Sequence, residues 1–537
     1  MNRHLYQGAK LAADGVAATR TPEGSSPLTV PTVPAADPAE PTDPPADSRS
    51  RRRGLSAGFV LPLVFGLLGV AVYSLWYWNP AYRYDEYLVA VTRTRLPWRE
   101  LLSIITTTDP GPGPLYLLMK PWTAVSSDPN WTRVPSVCAM AIAVAALVAL
   151  AQRATDRTTA VFAGVTMLAL PATSLWAQDN RMYALATMCT VLAVALWWRS
   201  IGSASRWWSV GYGVAVAGMG LFHLYSLTVL PVLLAVALLI PVKVAGHGRR
   251  VALLKTLIPA AIAFVVLLPH IYLNLRHPTG SPSNPPLTLG SLSDIFLESF
   301  GGRWLAALVI LLCLTGMIFG WLTPNQRPVV LLAVGWALFP LLCFMVARGL
   351  FGIPTLIARY YVFAIPGACL LAALGLAALF RWWWPAAVVI AALVVVAGIP
   401  EQVAVRSVDS HRVDAYRIVE LIRQPALAGL PVVAANEKLG LRVDAASYPQ
   451  TLLTGWNAAA TPVAVVVDEV AGTTNPQIPY LTAGNPWATV VRCAVGSVGS
   501  VSIVALPQAQ IPLGTPTELA QTLNAAVPGA RCAPKVY

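Results

Sequence analysis

The chain has 537 residues, only 11% of them charged, and a mean hydropathy of +0.61. A soluble chain of this size would carry roughly 25% charged residues, so the bulk of this one is excluded from the water-soluble class and reads as a multi-span membrane protein. The formal net charge of +13 does not point to nucleic acid, because the Arg residues are scattered along connecting loops and no nucleic-acid-binding module is visible.

Residues 1–55 come first. The stretch "PTVPAADPAEPTDPPADS" has too few large apolar side chains to offset the entropy of folding, so a disordered tail is expected. It has no apolar central region of the kind a signal peptide needs. Arg49, Arg51, Arg52 and Arg53 then precede the first apolar run at 58–78. A basic cluster there predicts a cytoplasmic N-terminus.

A long loop, 79–131, follows and opens with "YRYDEY", so that Asp85 and Glu86 stand side by side next to the first span. Two adjacent carboxylates at a membrane edge are costly without a role. One reading makes them a catalytic pair; the other makes them the cap of a helix N-terminus. Further along, "WRELLSII" spaces Trp98, Leu101, Leu102 and Ile105 as one face of an amphipathic helix lying in the interface. Then "DPGPGPLYLLMKPW" breaks the chain before a short apolar helix.

Ten more apolar runs fall at 133–151, 158–177, 182–198, 207–222, 224–242, 256–273, 303–322, 328–346, 360–380 and 382–399. With the first, they make about eleven spans and a transmembrane domain over residues 56–400. The loops that would then face the cytoplasm carry Arg153, Arg157, Arg199, Arg206, Lys243, Arg249, Arg250, Lys255, Arg327 and Arg381, as the positive-inside rule requires. The opposite loops hold nearly all the acids of the membrane part, together with Arg83, Arg181, Arg276, Arg303, Arg348 and Arg359. Arg on that side runs against the trend and is explained either by an anionic partner or by ion pairs with the acids and lipid headgroups.

An odd number of spans puts residues 401–537 outside. Helix-like stretches at 413–426 and 516–527 alternate with β-type runs such as "LPVVAA", "TPVAVVVDEV" and "SVSIVALP", which predicts a small α/β domain. Its two cysteines, Cys493 and Cys532, would lie in an oxidising compartment, where a disulfide can form. The other five sit singly in apolar runs and read as core residues. His411, flanked by Asp409 and Asp414 where the chain leaves the last span, reads either as part of an acceptor lip or as a solvated loop.

Four motifs in order, "YDE" after the first span, "GPLYLL" some 30 residues on, "AQDNRMYAL" opening a later span and "ARYYVFAIPG" near the last spans, resemble the GT-C glycosyltransferase superfamily. Members include protein O-mannosyltransferases, the lipid A aminoarabinose transferase and actinobacterial polyprenyl-phosphomannose-dependent mannosyltransferases. The resemblance spans about residues 58–400 and implies an α-helical multi-span protein of GT-C type with an extracytoplasmic C-terminal domain. It also implies an inverting transfer of a sugar from a polyprenyl phosphate to a glycan or glycolipid acceptor at the outer face of the plasma membrane. Mannose is the first reading for the sugar. Arabinose as donor sugar and a non-enzymatic lipid or sugar transporter are the alternatives. Where relatives carry His-Pro-Pro or Lys-Pro-Pro, this chain has Asp109-Pro110-Gly111-Pro112, so phosphate binding must come from elsewhere.

The residues supply candidates. An acceptor hydroxyl needs a general base, for which Asp85 is the first choice, with Glu86 orienting it, a metal or the acceptor. The departing phosphate needs cations aimed at it beforehand. Arg359 with Tyr360, and Arg181, are the best candidates, and Arg276 is a weaker one. His223 marks a turn between two spans, where it could hold the phosphate, bind a metal or satisfy a carbonyl. A divalent metal is the one cofactor these residues suggest. No Walker loop, dinucleotide fingerprint or HExxH motif occurs, in keeping with a lipid-borne donor.

Overall fold

The computed structural model describes residues 50–80, 83–239, 248–277, 286–407, 410, 415–434, 451–452, 463–468, 488–495, 499–505 and 514–534. Of the tail expected over residues 1–55, residues 1–49 lie outside the described residues and 50–55 begin a helix, and the His411 cluster lies outside them too. The elements that follow belong to one compact unit, Arg53–Tyr537, apart from the first residues of the first helix.

That first helix, α1 (Ser50–Ser74), ends just before Trp76. A short helix, α2 (Tyr84–Tyr87), then runs into six residues of π-helix, Leu88–Arg93. Two helices complete the loop, α3 (Trp98–Thr107) and α4 (Gly113–Thr123). In α3 the expected face is divided. Leu101 and Ile105 are buried in protein, while Trp98 and Leu102 are about half exposed at 53% and 47%. An amphipathic helix lying in an interface divides its apolar side in this way between protein and acyl chains.

Long apolar helices make up the rest of the membrane part: α5 (Pro129–Ala154), α6 (Arg157–Ala169), α7 (Pro171–Ala177), α8 (Met182–Ile201), α9 (Arg206–Phe222), α10 (Leu230–Leu239) and α11 (Arg249–Arg276). They are followed by α12 (Leu289–Phe300), α13 (Arg303–Leu322), α14 (Arg327–Phe351) and α15 (Ile365–Ala404). Among the described residues, 6 helices are individually long and apolar enough to cross a membrane. The pair α6 and α7, bent by 66° at Pro171, makes a further candidate. Each expected run has helix over most of its described residues, but the first extends past the end of α1, and several helices are short or shared between runs. Helix α15 contains two of them.

A single residue divides α15. Trp383 has φ −152° and ψ 88°, outside the helical range. Before it, Ala368 accepts a hydrogen bond from Cys313 and Leu374 lies beside Gly320, so this limb runs parallel with α13. After it, Gly398 lies beside Leu305 and Glu401 beside Gly302, so the second limb runs the opposite way. The 40 residues of α15 therefore form a helical hairpin. Its contact with α13 is a close one. A Cβ on Gly316 would lie 2.0 Å from the Leu371 carbonyl oxygen, and one on Gly375 would lie 2.3 Å from that of Leu312. In lipid, helices associate through such small-residue contacts, because burying one apolar helix against another gains little over burying it in acyl chains.

The C-terminal part is a mixed sheet flanked by α16 (Ala415–Ile422) and α17 (Pro516–Ala526). Its strands are β1 (Val432–Ala434), β2 (Thr451–Leu452), β3 (Val463–Asp468), β4 (Ala488–Val495), β5 (Gly499–Ala505) and β6 (Arg531–Pro534), in the order β2-β1-β3-β5-β4-β6. The first three pair in parallel and the others antiparallel. Val465, Val467, Val501 and Ile503 form its core with Ile418, Leu421, Leu519 and Leu523 from the helices. Thr515 and Glu518 close a capping box on α17. Cys493 and Cys532 face each other across β4 and β6 and are joined as a disulfide, as their expected compartment suggests.

Overpacking a close contact costs about 1–3 kcal/mol. Gly316→Ala should therefore lower the thermal unfolding midpoint of the detergent-purified protein. Gly58→Ala, whose new Cβ meets nothing within 4 Å, should leave it unchanged. Equal midpoints for the two variants would show that the helices do not meet as closely as described.

Candidate functional site

The site begins where α1 ends. The last carbonyls of any helix lack intrahelical partners and must find donors elsewhere. Here side chains from three distant elements supply them. Arg406, just past α15, donates to Val72 O and Leu75 O, and also to Ser174 Oγ in α7. Gln178, just past α7, donates to Tyr73 O and Leu75 O. Arg133, in the first turns of α5, donates to Tyr77 O and Pro80 O. Trp76 turns the chain out of the helix at φ 50°, the left-handed region, which a bulky residue seldom adopts unless its surroundings hold it there.

The same Arg133 fixes the acidic pair. Its Nε donates to Glu86 Oε1 at 2.9 Å and its Nη2 to Glu86 Oε2 at 3.0 Å, with both side chains fully buried. Backbone donors complete the carboxylate: Arg83 N to Oε2 and Asn180 N to Oε1, each at 2.9 Å. Glu86 was expected as a catalytic partner of Asp85. Both of its oxygens accept from internal donors, so the side chain anchors the loop after α1 to α5 and to Asn180.

Asp85 points elsewhere. Neighbouring residues of a helix diverge by about 100°, so one acid can face inward while the other stays accessible. The Asp85 side chain is 43% exposed and lies 3.7 Å from Arg181 Nη2. Arg359 is within electrostatic reach of Asp85, Tyr183 and Tyr360, and its guanidinium sits 5.4 Å from the Tyr360 ring centroid. Arg181 thus meets the predicted base directly, and Arg359, with Tyr360 beside it, lies near enough to feel its charge.

His223 joins the same group at the end of α9. Its ring lies 5.7 Å from that of Tyr183, 5.3 Å from Tyr225, 5.4 Å from Tyr360 and 6.0 Å from Phe363. Burial, and then the neighbouring Arg359 and Arg181, lower its pKa to about 3, so the imidazole is neutral. Arg276 is not brought in. It is exposed at the end of α11 and stacks on Tyr272 of its own helix, 5.1 Å away.

Other members were not anticipated. Asp179 is buried and meets Arg83 Nη1 at 3.4 Å, while Arg83 lies over the Trp176 ring at 5.2 Å. Burial and the Glu86 carboxylate lift the pKa of Asp179 well above the ordinary carboxylate range, against the pull of Arg83, Arg181 and Arg133. Tyr116 in α4 donates to Asp109 Oδ2 at 2.6 Å. Burial, with Asp109 adding to it, pushes the Tyr116 phenol up, so it remains a donor. The sequence did carry one signal for Arg133, a lone cation inside an apolar run. Its partner, 47 residues away, could not be read from local pattern. As to a metal, among the described residues no group of three or more His, Cys, Asp or Glu side chains comes together to hold one.

This geometry can be set beside known proteins. Residues 111–273 match the family model described as dolichyl-phosphate-mannose-protein mannosyltransferase. The fold is similar to the crystal structure of ArnT from Cupriavidus metallidurans bound to undecaprenyl phosphate, at 12% identity and TM-score 0.54, over 82% of this chain and 97% of that one. The same protein in the apo state gives 11% identity and TM-score 0.55, over 84% and 98%. A weaker likeness, 13% identity and TM-score 0.45 over 73% and 64%, is to the archaeal oligosaccharyltransferase AglB from Archaeoglobus fulgidus in complex with an inhibitory peptide and a dolichol-phosphate. No curated protein sequence matches. The family match covers under a third of the chain, and the structural likeness is one of fold, that of the integral-membrane protein ArnT.

Removing one partner of a buried ion pair typically costs about 3–5 kcal/mol, because the other charge is left without compensation. Glu86→Gln should therefore yield little folded protein, or a markedly lower melting point, by size-exclusion and thermal unfolding in detergent. Asp85→Asn, at an accessible position, should fold like the native chain. A Glu86→Gln protein of native stability would remove the anchoring role.

Proposed function

We propose that this protein is an inverting glycosyltransferase that moves a sugar from a polyprenyl-phosphate donor to a hydroxyl of a cell-envelope glycan or glycolipid. Mannose is the first reading for the sugar, in line with the description of the matching family model. The undecaprenyl phosphate bound in the ArnT structure supports a lipid phosphate as the donor's carrier. The reaction would take place at the outer face of the plasma membrane, with the N-terminus cytoplasmic and the C-terminal domain extracytoplasmic. The basic loops at the opposite end of the spans support that orientation.

The observation that carries the reading is the convergence of one accessible carboxylate, Asp85, with two guanidinium groups, Arg181 and Arg359, at one end of this fold. Asp85 accepts the proton of the acceptor hydroxyl as its oxygen bonds to the anomeric carbon. The bond from that carbon to the phosphate oxygen breaks, and its electron pair leaves with the phosphate. Arg181 and Arg359 stand where charge then grows, and fixed donors there lower the barrier without reorganising. Tyr360 backs Arg359.

Transfer of labelled sugar in membranes tests the roles. Asp85→Asn should lose at least ~100-fold in turnover while keeping its fold. Arg359→Gln should raise the donor KM about tenfold or more, since a charge-assisted bond to phosphate is lost. Native turnover in the Asp85→Asn variant would reject the base. Product from polyprenyl-phosphoarabinose, and none from polyprenyl-phosphomannose, would replace mannose as the sugar.

A further inference from the structure

Beside the two arginines, four elements deliver rings to one place. His223 closes α9, Tyr225 lies in the next turn, Tyr183 comes from α8, and Tyr360 and Phe363 lie between α14 and α15. Tyr360 is central, with its ring 5.4 Å from His223, 5.4 Å from Tyr225 and 5.4 Å from the Arg359 guanidinium. Tyr183 and Phe363 are buried, whereas Tyr225 and Tyr360 remain partly open. Phe344 backs Tyr225 at 5.4 Å and Phe363 at 6.4 Å, which holds the open rings in place.

One polar atom in this wall has no partner. His223 is 93% buried, its exposure being 7%, and its Nε2 makes no hydrogen bond among the described residues. A buried polar atom left unsatisfied is destabilising unless a bound group completes it. Phosphate suits the place poorly: a neutral imidazole brings no charge, and ring walls would strip an anion of water. A sugar suits the wall better. It has an apolar C–H face that packs on open tyrosine rings, and hydroxyls that need hydrogen-bond partners on a neutral surface.

We infer that the wall formed by His223, Tyr225 and Tyr360 receives the sugar ring of the donor, with His223 Nε2 hydrogen-bonded to one of its hydroxyls. This rests on the glycosyl-transfer reading above. It moves His223 from the phosphate to the sugar and gives the site a means of sugar selection. Sites that hydrogen-bond a substrate hydroxyl reject analogues lacking it far more strongly than apolar pockets can.

Equilibrium binding of lipids to the detergent-purified full chain tests the assignment without requiring turnover. The ligands are polyprenyl phosphate and whichever of polyprenyl-phosphomannose and polyprenyl-phosphoarabinose the native protein binds more tightly. His223→Phe keeps a ring and removes the nitrogen. It should weaken the sugar-bearing lipid about tenfold and leave polyprenyl phosphate unchanged. His223→Gln should restore part of the loss, and Tyr225→Leu should show the same selective loss. Arg359→Gln should weaken both lipids. If His223→Phe does not fold, Tyr225→Leu decides alone. Equal weakening of both lipids, or of neither, in the deciding variant overturns the inference and leaves the glycosyl-transfer reading to the Asp85→Asn result. So does a native protein that binds both sugar-bearing lipids no better than polyprenyl phosphate. A native protein that binds none of the three lipids overturns the underlying reading as well.

Discussion

The bidentate pair between Glu86 and Arg133 is the interaction on which the site depends. It lies wholly inside the protein, where two separated charges would be very costly. The remaining acceptor capacity of the carboxylate is filled by the backbone N–H groups of Arg83 and Asn180. One side chain thereby ties together three parts of the chain: the loop after α1, the first turns of α5 and the loop between α7 and α8. Asp85 and Arg181 are each one residue from a tied position. Their approach to within 3.7 Å follows from the anchor.

Electrostatics then divide the labour among neighbours of similar chemistry. Of two adjacent acids, one is fully buried and paired and the other is 43% exposed. Asp179, buried beside Glu86, is drawn toward its neutral form, because two carboxylates cannot both be charged cheaply in so small a volume. His223 is kept neutral by burial and by the two arginines near it. A positively disposed face beside a neutral, ring-lined one is what a sugar phosphate requires, since its two halves differ in charge but are covalently joined.

Much of this was legible in the sequence. Hydropathy located the helices because each apolar run exceeds what a loop could tolerate, and the acid pair, "DNRMY" and "ARYY" marked the elements that meet. The α/β reading of the C-terminal part also came from local alternation, as in "TPVAVVVDEV". What stayed hidden depends on distance along the chain. The division of roles between Asp85 and Glu86 is decided by Arg133. The reversal near Trp383 was legible as the break between the runs 360–380 and 382–399, although the two limbs join in one continuous helical element. Arg276 was the weaker candidate by pattern, and packing shows that it stays on the surface.

The attachment of Arg406 and Gln178 to the end of α1 has a bearing on biosynthesis. A nascent polypeptide emerges from its N-terminus onward, so Val72, Tyr73 and Leu75 enter the bilayer long before their donors exist. Gln178 is made about a hundred residues later, and Arg406 some 330 residues after the carbonyls it serves. Until then water or transient partners must satisfy those carbonyls, and the segment bearing Asp85 has no settled position. Assembly of this region is thus deferred until the final hydrophobic hairpin has been threaded, and a prematurely terminated product would lack the fixed end of α1 even though it already contains Asp85, Arg181 and Arg359.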